Sequence, residues 1–506
     1  MLYKGSKEDD LLTNDGQSLF VDQGYVRTAN WGAEYVDLEA NANSNPQFGQ
    51  TLVYQLDSIG DLMGQIDLLF KATVKCTPGT AGQMNFLCRD FGYAMLEKVW
   101  FAVNSNIIQE FGSEDLRRMN ELEREDRWRQ DKLFETPRGV LGGISTSDVM
   151  LEAGWAQIGA NAQAANYMAA KTTADGNDYV TYNLDYNIPL PFWFCGKYGP
   201  GYYFPMKGVT NAHDVRIYIK LRDMSQLAYS SQGPLKHDNG VTLGHSWLTG
   251  MHERANITNY GSLPENAWCS DIQASNGTNV AENVSSKLRI NYYHLPKPEA
   301  DLLRNVETTR IIEDIQFQDM SFVLDSANHE VNFEHKQMKL NFLHPVKELV
   351  IMLKRDTATY GPNALWDHDS GSTHDVGGVL SGGRRKRSHG MGGTAVEIAG
   401  LELSLNGTKT NQNMIDRDHL LKRILPLHHQ NQYSGAEVNY FVIPLCMHPD
   451  RLLATSGHIN FSKVAHPNLN IYLKHAGSAG TVTVEVYART YNWMAMRGGK
   501  CWKVFH

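Results

Sequence analysis

The chain has no CxxC pair, no long apolar run and no excess of positive charge, and each absence removes a class of function. Its six cysteines, Cys76, Cys88, Cys195, Cys269, Cys446 and Cys501, are scattered, so neither a zinc ribbon nor a thioredoxin-like motif is present, and buried free thiols are expected. The purest apolar stretches, such as Leu349 to Leu353, fall far short of the roughly 18 residues of a membrane span, and no transmembrane segment is expected. Lys and Arg number 47 against 55 Asp and Glu, a net charge of −8, so no global field draws the chain onto nucleic acid or an anionic membrane. Met1 to Asn14 is polar and acidic and lacks the apolar run of a secretory signal, which predicts a protein made and kept in the cytosol. On that expectation the sequons at Asn256, Asn276, Asn283, Asn406 and Asn460 are chance occurrences.

The catalytic signatures are missing as well. There is no HExxH, no GxSxG elbow, no Walker phosphate loop and no Rossmann glycine run, each of which fixes a base, a nucleophile or a phosphate cradle in space. Glu121, Glu123, Glu125 and Asp126 stand near Arg124 and Arg127 at helical ion-pair spacing, which reads as a solvated helix face. Asp367, His368, Asp369, His374 and Asp375 match no helical or zinc-ribbon ligand spacing. His428 and His429, adjacent, would point to opposite faces of a strand and read as ordinary surface and interface residues. Arg384, Arg385, Lys386 and Arg387 lack interleaved aromatics and read as a solvated loop tip instead of a nucleic-acid patch. No residue is therefore assigned a catalytic, cofactor-binding or metal-binding role, and no cofactor is called for. A glycosidase with two carboxylates from distant strands stays open as the enzyme alternative, because only the fold sets their separation.

What the 506 residues do contain is the material of strands and turns: 10 Trp, 23 Tyr and 18 Phe beside 44 Gly and 17 Pro, with 42% hydrophobic and 20% charged residues. Such a length exceeds one compact core, so at least two are sought. Period-two alternation predicts strands with one buried face at Asp214 to Leu221 (DVRIYIKL), Leu469 to Lys474 (LNIYLK), Thr481 to Ala488 (TVTVEVYA), Gly400 to Leu405 (GLELSL) and, less cleanly, Val99 to Val103. Antiparallel sandwiches follow.

Two short helices interrupt the strands. Ser113 is placed as the cap of the first, with Glu114 and Asp115 at its positive end and Leu116, Met119 and Leu122 forming a stripe that plugs the end of a sandwich. Pro298 opens the second, whose apolar side would be Leu302, Leu303 and Val306, and this helix is read as the joint between two domains. The order of segments repeats: Gly60 to Val74, Lys98 to Asn106 and Asp214 to Leu221 match Pro345 to Lys354, Gly400 to Thr408 and Leu469 to Lys474, with Asn104 equivalent to Asn406. A duplicated sandwich of roughly 200 to 290 residues per copy is the simplest account. Long insertions at Phe134 to Tyr179, Met224 to Glu282 and Thr357 to Thr394 are read as functional surface, with Gly382 to Gly393 exposed.

Several stretches together resemble the major capsid proteins of the nucleocytoplasmic large DNA viruses, the double jelly-roll group of algal, amoebal and insect viruses. They are Arg89 to Phe111 (RDFGYAMLEKVWFAVNSNIIQEF) leading to Asn120, Glu121 and Leu122; Ile188 to Phe194 (IPLPFWF) before the strand His213 to Leu221; and Leu340 to Leu349 (LNFLHPVKEL). Leu403 to Gly407 (LSLNG), Tyr440 to Pro449 (YFVIPLCMHP) and Ser456 to Val464 (SGHINFSKV) follow in order. Asn30-Trp31 after Arg27-Thr28 resembles the family's N-terminal stretch, and HPVKEL is the most distinctive match. The insertions depart from the shorter algal members, and the sequence after Asn492 has no detailed counterpart.

The resemblance implies an all-β chain of two consecutive eight-stranded antiparallel jelly rolls with long loops and a few short helices. The implied layout is an N-terminal arm at 1–22, a first jelly roll at 23–296, a linker helix at 297–307 and a second jelly roll at 308–506. It further implies a structural, non-enzymatic protein of the virion capsid, assembled in the host cytoplasm. Its partners would be two further copies of itself in a homotrimer, other trimers in an icosahedral lattice, and minor capsid proteins and the inner membrane layer. A minor or vertex capsid protein of the same fold, and a carbohydrate-binding or carbohydrate-active jelly roll, are the competing readings.

Overall fold

The computed structural model describes residues 31–41, 46–56, 59–77, 84–87, 91–123, 139–142, 169–170, 179–195, 202–209, 215–231, 235–237, 267–269, 272–274, 278–305, 307–355, 396–409, 414–429, 441–449, 455–475 and 481–505. The expectations for Met1 to Gln23, for the 384–387 basic run and for the Asp367 to Asp375 group lie outside them, as does most of the three insertions.

Sixteen strands make two sandwiches with one topology. The first is built from β1 (Gly32–Glu39), β2 (Thr51–Gln55), β3 (Leu62–Thr77), β4 (Leu96–Val103), β5 (Asn106–Gly112), β6 (Tyr179–Pro189), β7 (Val215–Leu221) and β8 (Thr278–His294). The second is built from β9 (Thr308–Val323), β10 (Glu334–Lys339), β11 (Pro345–Arg355), β12 (Glu397–Leu405), β13 (Thr408–Lys409), β14 (Phe441–Pro444), β15 (Asn468–Lys474) and β16 (Thr481–Arg497). In the first, the sheets run β1-β8-β3-β6 and β2-β7-β4-β5; in the second, β9-β16-β11-β14 and β10-β15-β12-β13. Strand n of one sandwich is strand n+8 of the other, and the pairings within them are antiparallel. This is the order of a jelly roll, given twice.

The alternation places each strand. In β7 every second residue from Val215 to Leu221 is buried while Arg216, Tyr218 and Lys220 are half-exposed, as a sheet with one wet face requires. The hairpin β4–β5 turns on Asn104 and Ser105, with φ of 50° and 66°, and β12–β13 turns on Asn406 and Gly407, with φ of 52° and 76°. Two successive left-handed residues make the tight turn whose twist suits a two-residue hairpin, and Asn is among the few L-residues that enter that region readily. The Asn104–Asn406 equivalence is thus a shared turn.

The two cores differ in chemistry. In the first, Phe101 meets Phe192, Trp193, Phe194 and Phe204 with ring centroids 5.0 to 5.7 Å apart, so IPLPFWF supplies its centre. The second is chiefly aliphatic, with Leu349, Ile351, Leu401, Leu403, Ile471 and Val484 fully buried.

Several expectations change. The strand read at Thr481 to Ala488 continues to Arg497, and Gly498 and Gly499, both at positive φ, turn it into Lys500–Lys503. Its middle, from Glu485 to Tyr491, is buried on both faces because the outer face meets the first sandwich. Residues 400–404 are likewise all buried, and Glu402 accepts a bond from Asn470 Nδ2 at 2.9 Å. The insertion read from Met224 to Glu282 ends earlier, since β8 begins at Thr278. Its segments Ala228–Ser231 and Ile272–Ala274 join Met84–Leu87 and Ala169–Ala170 in a small four-stranded sheet. In the helix α2 (Lys297–Asn305), Leu302 is 63% exposed instead of docked.

Candidate functional site at the joint of the sandwiches

The helix α1 (Ser113–Glu123) follows β5. Ser113 Oγ accepts from Arg222 at 3.0 Å, and Asp115 Oδ2 accepts from the backbone N–H of Gly112 at 2.9 Å, so Ser113 serves a cross-link to Arg222. The expected stripe is divided between two cores. Leu116 belongs to the first, whereas Leu122 packs with Val350, Met352, Leu425, Val442 and Tyr487 on the outer face of the β9-β16-β11-β14 sheet. Helix α1 therefore fastens the sandwiches together and does not plug an end. Between these leucines Arg118, 1% exposed, pairs with Asp115 at 2.5 Å and lies 4.0 Å from the ring centroid of Tyr487. That cation–π contact occurs away from water, where such contacts are strongest. From the other side, Ile312, Tyr491, Met494, Met496 and Cys501 join the first core.

Beside this apolar seam lies a buried charge network, and HPVKEL builds it. His344, at φ of 68°, leads into β11, where the pairing with β16 slips between Val346 and Glu348. A bulge places two residues opposite one, and Lys347 and Glu348 are both 0% exposed. Lys347 Nζ donates to Glu313 Oε2 and to the carbonyl of Pro449, each at 2.6 Å. Arg489 donates from Nε to Glu313 Oε1 at 2.5 Å and from a terminal nitrogen to Glu348 Oε1. His429 Nε2 stands 3.0 Å from Glu348 Oε2. Burial alone would raise the Glu348 pKa, but the charges of Arg489 and His429, with Lys347, outweigh it and hold the carboxyl below the ordinary carboxylate range.

Gln109 connects the network to the first sandwich. Gln109 Nε2 donates to the carbonyl of Glu313 at 3.1 Å, and Gln109 Oε1 accepts from the N–H of Trp193 at 3.2 Å. IPLPFWF and HPVKEL, distant in sequence, are thus joined through a buried amide. A cavity of about 200 Å³ lies here, lined among others by Gln65, Met119, Pro191, Trp193 and Glu313. Buried pairs of this kind add little net stability, because desolvation offsets their attraction, but they penalise any misalignment that separates the charges. All of its charged members belong to the second sandwich, so the network fixes β9, β11 and β16 against one another and holds the Glu313 carbonyl in place for Gln109.

Residues 18–243 match the family described as major capsid protein N-terminus. That segment is similar to the N-terminal domain of major capsid proteins. Across nearly its whole length the chain has the fold of such proteins. Against the capsid of the virus PBCV-1 the identity is 17% and the TM-score 0.59, with 96% of this chain and 100% of that one covered. Against the Faustovirus major capsid protein the identity is 12% and the TM-score 0.59, covering 97% and 94%. The mavirus major capsid protein gives 10% and 0.50, covering 99% and 95%. No curated protein sequence matches the chain. The double jelly roll expected from the resemblance is the observed fold.

His428 and His429 correct the sequence reading. They lie at the end of the helical segment 417–428, not on a strand; His428 Nδ1 is 3.1 Å from the carbonyl of Met447, while His429 is fully buried in the charge network. Of the helix-face ion pairs, the side chains of Glu121 and Glu123 and all of residues 124–127 lie outside the described residues. Among the described cysteines, Cys76, Cys446 and Cys501 are buried free thiols and Cys195 is half-buried; burial pushes Cys76 and Cys501 up to about 12. Asn406 Oδ1 accepts from Ala465 N–H at 2.7 Å and Asn460 Oδ1 from Ser462 N–H at 3.1 Å, so both carboxamides have work within the fold.

Sequence reasoning missed Gln109, Glu313 and Arg489. The available signal was the Glu313-Asp314 pair inside an apolar alternating strand, where one carboxylate must face inward and so needs a buried cation.

Proposed function

We propose that the chain is the structural major capsid protein of a large icosahedral DNA virus, and that three copies form a pseudo-hexagonal capsomer. The observation that carries this reading is the duplication of one strand order in two sandwiches held in a fixed mutual orientation. A trimer of such chains presents six similar flanks, so it can tile a near-hexagonal lattice. The equivalent edge strands β1 and β9 support it, because both expose aromatics: Tyr35 is 62% and Phe317 52% exposed. Met320, Val323 and Val331 extend the exposed apolar surface near β9, as expected of a face that another copy covers.

On this reading the boundaries are an arm at 1–22, a first jelly roll at 23–296, a linker helix at 297–307 and a second jelly roll at 308–506. Minor capsid proteins and the inner membrane layer lie below the lattice, and assembly takes place in the host cytoplasm. The contacts within a trimer are large and apolar at their centre, while those between trimers are individually weak and numerous. The native mass of the purified chain tests the capsomer. A species near 170.7 kDa, three times 56.9 kDa, is expected, and a clean monomer at micromolar concentration would overturn it. No observation favours the carbohydrate-binding reading.

A further inference from the structure

At one end of the second sandwich the connection between β9 and β10 folds against the end of β15. The backbone N–H of His329 donates to the carbonyl of His475 at 2.8 Å, and the two imidazole centroids are 5.0 Å apart. His329 Nδ1 is 2.7 Å from the carbonyl of Asn332. A carbonyl only accepts, so Nδ1 carries the proton, and in the neutral ring Nε2 carries the lone pair. That nitrogen is buried, with Asp325 Oδ2 as its neighbour at 3.5 Å. His475 Nε2 lies 2.7 Å from Glu334 Oε2, and both residues are buried. Glu334 is itself held by Lys336 Nζ on Oε1 at 2.6 Å and by the N–H of Asp325 at 3.3 Å.

For His329 this is how a metal-binding histidine is arranged, one ring nitrogen anchored on a backbone carbonyl and the other presented to an ion, whereas His475 Nε2 donates to Glu334 and would release that proton on binding. One donor atom each from His329, Glu334 and His475 lie within 4.8 Å of one another. Donors about 2.1 Å from one zinc ion stand about 3.4 Å apart at tetrahedral angles, so binding asks the widest pair to close by about 1.4 Å at most. A surface loop and two imidazole rotations can supply that movement. Asp325 Oδ2, 3.5 Å from His329 Nε2, stands beside the three donors as a fourth. Two carboxylates and Lys336 leave the site one negative charge before the ion arrives. Two nitrogen and two carboxylate donors suit zinc and its transition-metal neighbours, whereas calcium and magnesium take all-oxygen sets.

We propose that His329, Glu334 and His475, with Asp325, form a structural site for a zinc-class divalent cation that clips the β9–β10 connection to the end of β15. The site is separate from the joint network and does not depend on the capsid reading. The experiment uses the full-length chain, stripped with a chelator, loaded with zinc chloride and desalted. About one zinc per chain is expected in the wild type, with melting raised by several degrees by zinc and not by magnesium. His329→Gln, at a partly exposed position, is expected to melt like the stripped wild type and to retain at least about tenfold less zinc. Cobalt in place of zinc is expected to give the visible absorption of a tetrahedral site in the wild type and not in Asp325→Asn. A folded wild type that retains no zinc overturns the proposal, as does equal retention by His329→Gln, which would place the metal on other histidines.

Discussion

Replacing Arg489 with methionine tests the joint network at its centre. The guanidinium bonds both Glu313 and Glu348 and is 2% exposed, so its loss removes a buried cation from between two buried carboxylates. Removing one partner of a buried pair costs about 3–5 kcal/mol, far more than the intact pair contributes, because the remaining charge is stranded away from water. For a sandwich of about 200 residues, each kcal/mol moves the melting temperature by about 2–4 °C, which gives a loss of roughly 6–20 °C. The loss has a pH signature. Without Arg489 the largest attraction opposing burial at Glu348 is gone, so its folded pKa rises from the depressed wild-type position. A folded carboxylate that takes up its proton more readily loses less stability as pH falls. The gap between Arg489→Met and the wild type is therefore narrower at pH 4 than at pH 8, and Glu348→Gln added to Arg489→Met recovers part of the loss. Calorimetry of the four chains at both pH values completes the cycle. A shift under about 2 °C at pH 8, with near-ultraviolet dichroism unchanged, would refute the assignment of the network as the element that aligns β9, β11 and β16.

In the wild type Glu348 is held below 4.5, so its contribution is present above that pH and is lost as pH falls below it. Melting measured from pH 7 to 3 should show this acid limb, flattened in Glu348→Gln. Arg118→Ala removes the contact with Tyr487 and is expected to cost about 2 kcal/mol; because α1 bridges the two cores, calorimetry should resolve two transitions where the wild type shows one. Gly407→Ala has open space around the new Cβ, with nothing within 4 Å, but places an L-residue at φ of 76°. It should cost about 1–2 kcal/mol in chemical denaturation from backbone strain alone.

Local pattern and global arrangement were legible to different degrees. Val215 to Leu221 and Leu469 to Lys474 declared themselves by alternation, and Asn104 and Asn406 marked matching turns, because these features depend on neighbours two residues away. Gly400 to Leu405 and the middle of β16 misled, since alternation reports a wet outer face and theirs are covered. His429 was read as surface because its partner Glu348 stands 81 positions away. HPVKEL stood out through resemblance, yet the reason for its Lys-Glu pair lies in a bulge that sequence spacing does not reveal. The cluster of His329, Glu334 and His475 was invisible for the same cause: two of its members are 141 positions apart.

Helix α1 also sets a timetable for synthesis. Leu122 leaves the ribosome with the first sandwich, but its partner Tyr487 follows about 365 residues later, roughly 20 to 70 s at ordinary elongation rates. Through that interval Leu122 faces water without the Tyr487 ring that finally covers it. The nascent chain thus displays a sticky face on every ribosome of a polysome, where neighbouring copies emerge side by side. A factor that shields this helix until the last strand arrives would govern the yield of soluble subunits more than the stability of the finished fold does.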